Sequence, residues 1–185
     1  MQNLLLVVFS LIGWSARDVF SAGPVSVPIQ NVLQIPYALE SVTGISSRET
    51  EIANFYRDHR VSYPRQGLID EVSEVFLFSH VSYASLYCKK MIDRDMNLLP
   101  EKRWAHRNLD FASTAKSWSQ ETKRAQLDEY SKMFWQRPMT LEEERGLIEL
   151  FSKLSDDLPN DAKGTGQILM ALCSVFGASF SFLAI

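Results

Sequence analysis

Apolar residues recur at alternating steps of four and three from Leu77 through Val81, Ala84, Cys88 and Met91. That spacing lines one face of an α-helix and predicts a long core helix over about 70–94. Leu127, Tyr130 and Phe134 predict a second helix over about 121–136. Leu147, Leu150, Phe151 and Leu154 mark a third, entered through a capping box of Thr140 and Glu143. Glu142, Glu143 and Glu144 crowd its first turn, where the helix dipole favours carboxylates. Upstream, a short helix carrying Tyr37, Leu39 and Val42, each partly buried, stops at Gly44. Ser46 and Glu49 read as another capping box, starting a helix to about 59 that buries Ile52, Phe55 and Tyr56. Residues 63–67 read as a turn, and 156–165 as a polar loop that includes Lys163-Gly164-Thr165-Gly166. Between Trp104 and Gln120 no period is clear, and Trp104, Leu109, Phe111 and Trp118 stand out as buried anchors. The pattern as a whole predicts an all-α fold, a compact bundle of about five to seven helices.

The ends of the chain are more apolar. Leu4 to Trp14 is broken only by Ser10 and Gly13, which suits the apolar region of a signal peptide. It is too short to span about 30 Å of hydrocarbon. Small residues at Ser21 and Ala22 place a cleavage site nearby, although no Lys or Arg precedes the apolar run. The expected division is a signal peptide over 1–22, an extended lead-in over 23–36 with Pro24, Pro28 and Pro36, and one helical domain over 37–185. At the other end, Ile168 to Ile185 is uncharged for eighteen residues, the lower limit of a membrane span. A helix buried all round explains it as simply, and a span or a surface association with the membrane stays open.

The composition of the 185 residues, 46% hydrophobic and 22% charged, is that of a globular protein and excludes wholesale disorder. A net charge of −3 supplies no basic excess for nucleic acid. Cys88 falls on the core stripe and Cys173 on an apolar face with Leu169, Leu172 and Phe176. In an exported chain this suggests a disulfide, stabilising by about 4–5 kcal/mol in the chain-entropy model, with two inert buried thiols as the alternative. No CxxC, GxSxG or phosphate-binding loop is present. His59, His80 and His106 lack metal-ligand spacing and read as structural or solvent-facing. Asp93 and Asp95 read as solvated, and Asp156, Asp157 and Asp161 lack the order of a calcium loop. No cofactor or metal is expected. Tyr83, Tyr87, Trp104 and Trp118 are the candidate interaction aromatics, with the core as the competing assignment.

The run Phe134-Trp135-Gln136-Arg137-Pro138-Met139-Thr140-Leu141-Glu142-Glu143-Glu144, followed by Leu147, Leu150 and Phe151, resembles a recurring helical module. Such modules occur in large secreted bacterial proteins of the planctomycete-type cytochrome c class. The stretches Ile168 to Cys173 and Ala178 to Leu183 are similar to that module's apolar ending. Residues 39–45 and Tyr87-Cys88 are similar to segments of uncharacterised secreted proteobacterial proteins. The resemblance implies a helical, exported accessory module, and it brings no haem, because no CxxCH exists here. The expected function is a non-catalytic interaction or assembly module of the bacterial cell envelope, periplasmic or extracellular, with an envelope protein as partner. An envelope hydrolase using paired carboxylates on glycan is the first alternative. A membrane-embedded subunit using 168–185 is the second.

Overall fold

A computed structural model describes residues 27–28, 33–63, 68–69 and 74–179. The expected signal peptide, most of the lead-in, the turn after Tyr63 and the last six residues lie outside the described residues. Among those described, six α-helices carry the fold: α1 (Gln34–Thr43), α2 (Thr50–His59), α3 (Glu74–Met96), α4 (Gln120–Tyr130), α5 (Leu141–Asp157) and α6 (Ala162–Ala178). This is the helical bundle that the periodicity predicts. Short 3₁₀ turns cover Arg60–Ser62, Pro100–Lys102 and Ala115–Ser117. One antiparallel pair of two-residue extended segments sets Val27–Pro28 against Leu68–Ile69.

The long helix α3 is the axis. Its apolar stripe is buried as predicted at Val81, Ala84, Cys88 and Met91, with Leu77 half-buried. It packs most extensively against α6. The two run antiparallel, since His80 meets Gly177, Cys88 meets Cys173, and Met96 approaches Gly166. A side chain at Gly177 would sit 3.2 Å from Phe134 and 3.3 Å from Ala84, so glycine there permits the close approach.

On the other side, α1 runs parallel to α3. The Tyr87 hydroxyl donates to Pro36 O, and Arg94 donates to Thr43 O and Gly44 O at the α1 C-terminus. Gly44 ends α1 with φ +64°, a left-handed cap that glycine adopts without strain. α2 runs antiparallel to α3, with Lys90 near Glu49 and Glu51 and Phe55 stacked on Tyr83.

Several local expectations are corrected. α1 begins at Gln34, inside the expected lead-in, because Pro36 falls in the first turn, where a missing N–H costs nothing. Tyr37, expected to be partly buried, is exposed. The Ser46–Glu49 box does not form: α2 starts at Thr50 without a side-chain cap. Ser46 Oγ accepts from Arg48 N instead, Glu49 N donates to Ser46 O, and Glu40 accepts from both the N–H and the hydroxyl of Ser47. Lys163 to Gly166 is the first turn of α6 rather than loop, started by Asp161, whose carboxylate accepts from Gly164 N. The box of Thr140 and Glu143 forms as predicted.

Candidate functional site

Asp95 occupies the core stripe of α3 one step beyond Met91 and Ile92, and it is fully buried rather than solvated. The residues that satisfy it arrive from the irregular segment after α3. Trp104 N donates to both carboxylate oxygens at 3.1 Å, and Ala105 N donates to Oδ2 at 2.9 Å. His106 Nδ1 lies 2.9 Å from the same oxygen, and Arg94 Nε stands 3.5 Å from Oδ1. Burial opposes ionisation of this carboxyl. The hydrogen bonds from His106, Ala105 and Trp104 outweigh it and bring the pKa down to about 2.

An ionised carboxylate only accepts, so Nδ1 of His106 carries the proton. The other ring nitrogen then accepts from the Tyr130 hydroxyl of α4 at 2.7 Å. That hydroxyl lies 3.4 Å from Leu169 O of α6, the longer of its two contacts. Burial pushes the Tyr130 phenol well above its ordinary range. Asp95, His106 and Tyr130 therefore form one hydrogen-bonded chain from α3 through the connecting segment to α4 and α6. Its order, carboxylate then imidazole then hydroxyl, is that of a nucleophile-activating triad. All three side chains are fully buried, however, so no substrate atom reaches the hydroxyl. The chain is a structural tie. Arg103 completes it, donating to Leu98 O, His106 O and Leu109 O and lying over the Phe111 ring.

Outside this tie runs a polar groove of about 380 Å³, lined by Ala105, Arg107, Asn108, Leu109, Glu121, Thr122, Ala125, Gln126 and Glu129. Glu121 and Glu129 stand eight residues apart on α4, about 12 Å along the helix axis. Among the described residues, no group of three or more His, Cys, Asp or Glu side chains could hold a metal ion.

Cys88 and Cys173 are joined in a disulfide across α3 and α6, both fully buried. The candidate aromatics are not brought together on a surface. Tyr83, Tyr87 and Trp118 are in the core, where Tyr83 and Tyr87 pack edge to face. Only Trp104 keeps a face in solvent, at 46% exposure, so it is not the buried anchor expected. Its ring covers Gly44 and its indole N–H donates to Val42 O. His80 is buried and its Nε2 donates to Gly177 O, while His59 stacks on Phe55.

The motif from Phe134 to Glu144 has a clear local task. Helix α4 ends in a π-helical turn, Ser131–Trp135, and Gln136 follows in the left-handed region at φ 54°. The widened turn aims Trp135 at α6, where its indole N–H donates to Ser179 Oγ at 2.6 Å. Arg137 lies over the Trp135 ring and forms a two-pronged pair with Glu143.

The six helices and the buried Cys88–Cys173 bond define a disulfide-stapled helical domain. No family model, curated protein or solved structure matches the chain. The disulfide fits an exported protein, and among the described residues no helix is long and apolar enough to cross a membrane. Helix α6 ends at Ala178.

Proposed function

We propose that the chain is an exported helical interaction module of the bacterial cell envelope, working as a subunit or adaptor of a larger assembly. The observation that carries this reading is the distribution of exposed large apolar side chains. Among the described residues, seven of eight, namely Leu33, Tyr37, Val61, Val75, Phe78, Leu99 and Trp104, fall between residues 33 and 104, and Leu141 is the eighth. A docked partner protein would remove this apolar surface from water. The resemblance to helical modules of secreted bacterial proteins supports the same class. The disulfide supports an oxidising compartment.

The test is mild cross-linking of the full chain in its own cells, with identification of what is joined to it. The reading expects one stoichiometric partner, lost when Tyr37 and Phe78 are replaced by glutamate while the disulfide still forms. It also expects Cys88 and Cys173 to be found reduced when residues 1–22 are deleted. A chain recovered alone, or a partner retained by the glutamate variant, sinks the interaction reading. Wild-type chain recovered with free thiols sinks the export reading.

A further inference from the structure

The Cys88–Cys173 sulfurs lie inside the α3–α6 seam, and neither residue has solvent exposure. Thiol–disulfide exchange needs an outside sulfur to approach the one it attacks in line. The closed seam leaves no such approach, so this bond is made, and broken, only when α6 is away from α3.

The two thiols are also unequal before folding. Cys88 is followed directly by Lys89 and Lys90, and no acidic residue precedes it nearer than Glu74. Cys173 has no charged residue between Lys163 and the C-terminus. Adjacent ammonium groups favour a thiolate, and apolar surroundings disfavour it. Cys88 also lies 85 residues ahead of Cys173, so it is the first to be available in a chain delivered from its N-terminus.

We propose that the disulfide is installed through Cys88 as the entry sulfur, by an exchange-active disulfide of another molecule, before α6 docks. The Cys88 thiolate attacks that disulfide, forming a mixed disulfide and releasing one thiolate of the oxidant. The Cys173 thiolate then attacks the Cys88 sulfur, the Cys88–Cys173 bond forms, and the second oxidant sulfur leaves. The chain loses two electrons, the oxidant gains them, and the protons of both cysteines end on the oxidant's two thiols. Docking of α6 then shuts the product away, which makes the bond a permanent staple and not a switch. The ordering shares with the export reading only the need for an oxidising compartment, and its tests on the purified full chain do not depend on that reading.

Two measurements decide it. In the first, native oxidised protein meets dithiothreitol, and thiol release is compared with the rate of global unfolding. Release no faster than unfolding is expected, and faster release overturns the sealed seam. In the second, the reduced chain in urea near pH 7 meets limiting oxidised glutathione, and each cysteine is followed by mass spectrometry. Cys88 should form its mixed disulfide about twofold faster than Cys173, the gain in thiolate being partly offset by lower nucleophilicity. The Lys89→Gln/Lys90→Gln variant should remove that difference. Equal rates in the parent, a faster Cys173, or a difference that survives in the variant overturns Cys88 as the entry sulfur. The second measurement compares parent and variant as unfolded chains, so the variant does not have to fold.

Discussion

Two histidines lie buried near opposite ends of α3, and they are handled in opposite ways. At the C-terminal end, His106 is held between the Asp95 carboxylate and the Tyr130 hydroxyl, each within hydrogen-bond reach. At the N-terminal end, His80 lies among the rings of Phe76 and Tyr63 and donates to the backbone carbonyl of Gly177. Burial drives the His80 pKa down to about 4, against a smaller opposing effect of the Gly177 carbonyl. The same side chain serves in one place as a link in a charged chain and in the other as a neutral packing piece. A buried ionised group holds its fold only through its partners, whereas a buried neutral one holds it until it is charged.

The largest effect should come from cutting the charged end. Asp95→Ala leaves Trp104 N, Ala105 N and His106 Nδ1 facing an empty site, and breaking a buried charged network costs about 3–5 kcal/mol. Urea unfolding of the full chain measures it. A loss below about 1 kcal/mol would be in the range of an ordinary surface change and would break the comparison. Next in size is His106→Phe, which removes one donor to Asp95 and the acceptor for Tyr130 but leaves the two backbone donors in place. The expected loss is about 2–3 kcal/mol, since one buried polar group is left unsatisfied and a charged hydrogen bond is gone. Thermal unfolding of the two variants side by side should give Asp95→Ala the lower Tm.

Acid separates the two ends by pH window. His80 has a folded pKa of about 4 against 6.5 for the free side chain, so the unfolded chain binds more protons between those values. Stability then falls as pH drops from about 6.5 to 4, by up to about 3 kcal/mol. Asp95 works lower, because its folded pKa of about 2 lies below the 3.8 of a free aspartate. Its contribution is present above pH 4 and is lost as pH falls from there toward 2. A stability curve with two descending steps is expected. His80→Phe should flatten the upper step only, and Asp95→Asn the lower step only. A single step common to both variants would mean that the two ends are not independent.

The sequence made the apolar part of this arrangement legible and hid the polar part. Leu77, Val81, Ala84, Cys88 and Met91 declare the core face of α3 by spacing alone, and the disulfide follows from cysteines on two such faces. Asp95 continues that same stripe, and a carboxylate at a core step was the available signal. It was lost because aspartate near a helix end is usually solvated, and because its partners come from residues 104–106 and 130, which carry no shared local pattern. Ser46 to Glu49 shows the reverse error. The local pattern of a capping box is complete, but Ser46 Oγ accepts from Arg48 N, and Glu49 N donates to Ser46 O, so both box residues close a turn ahead of the helix. Tyr83 and Tyr87 show that helical spacing alone does not tell a surface platform from a core pair, since both uses need the same four-residue step.

The smallest effect at neutral pH is the most discriminating. His80→Phe keeps an aromatic ring of similar size among Phe76 and Tyr63 and removes one hydrogen bond, to Gly177 O. A neutral hydrogen bond contributes about 1 kcal/mol, so the variant should be less stable than the parent by about that much at pH 7. The parent, however, gives up stability as the unfolded chain's histidine takes up a proton that buried His80 does not, and phenylalanine does not titrate. By linkage the parent's loss reaches about 1 kcal/mol near pH 6, where the two stability curves should cross. Below that pH the variant should be the more stable protein. Urea unfolding at pH 7 and pH 5 checks the reversal of sign. If His80→Phe stays the less stable at both, burial of a neutral His80 is not what weakens the parent in acid, and the contrast between the two ends of α3 fails.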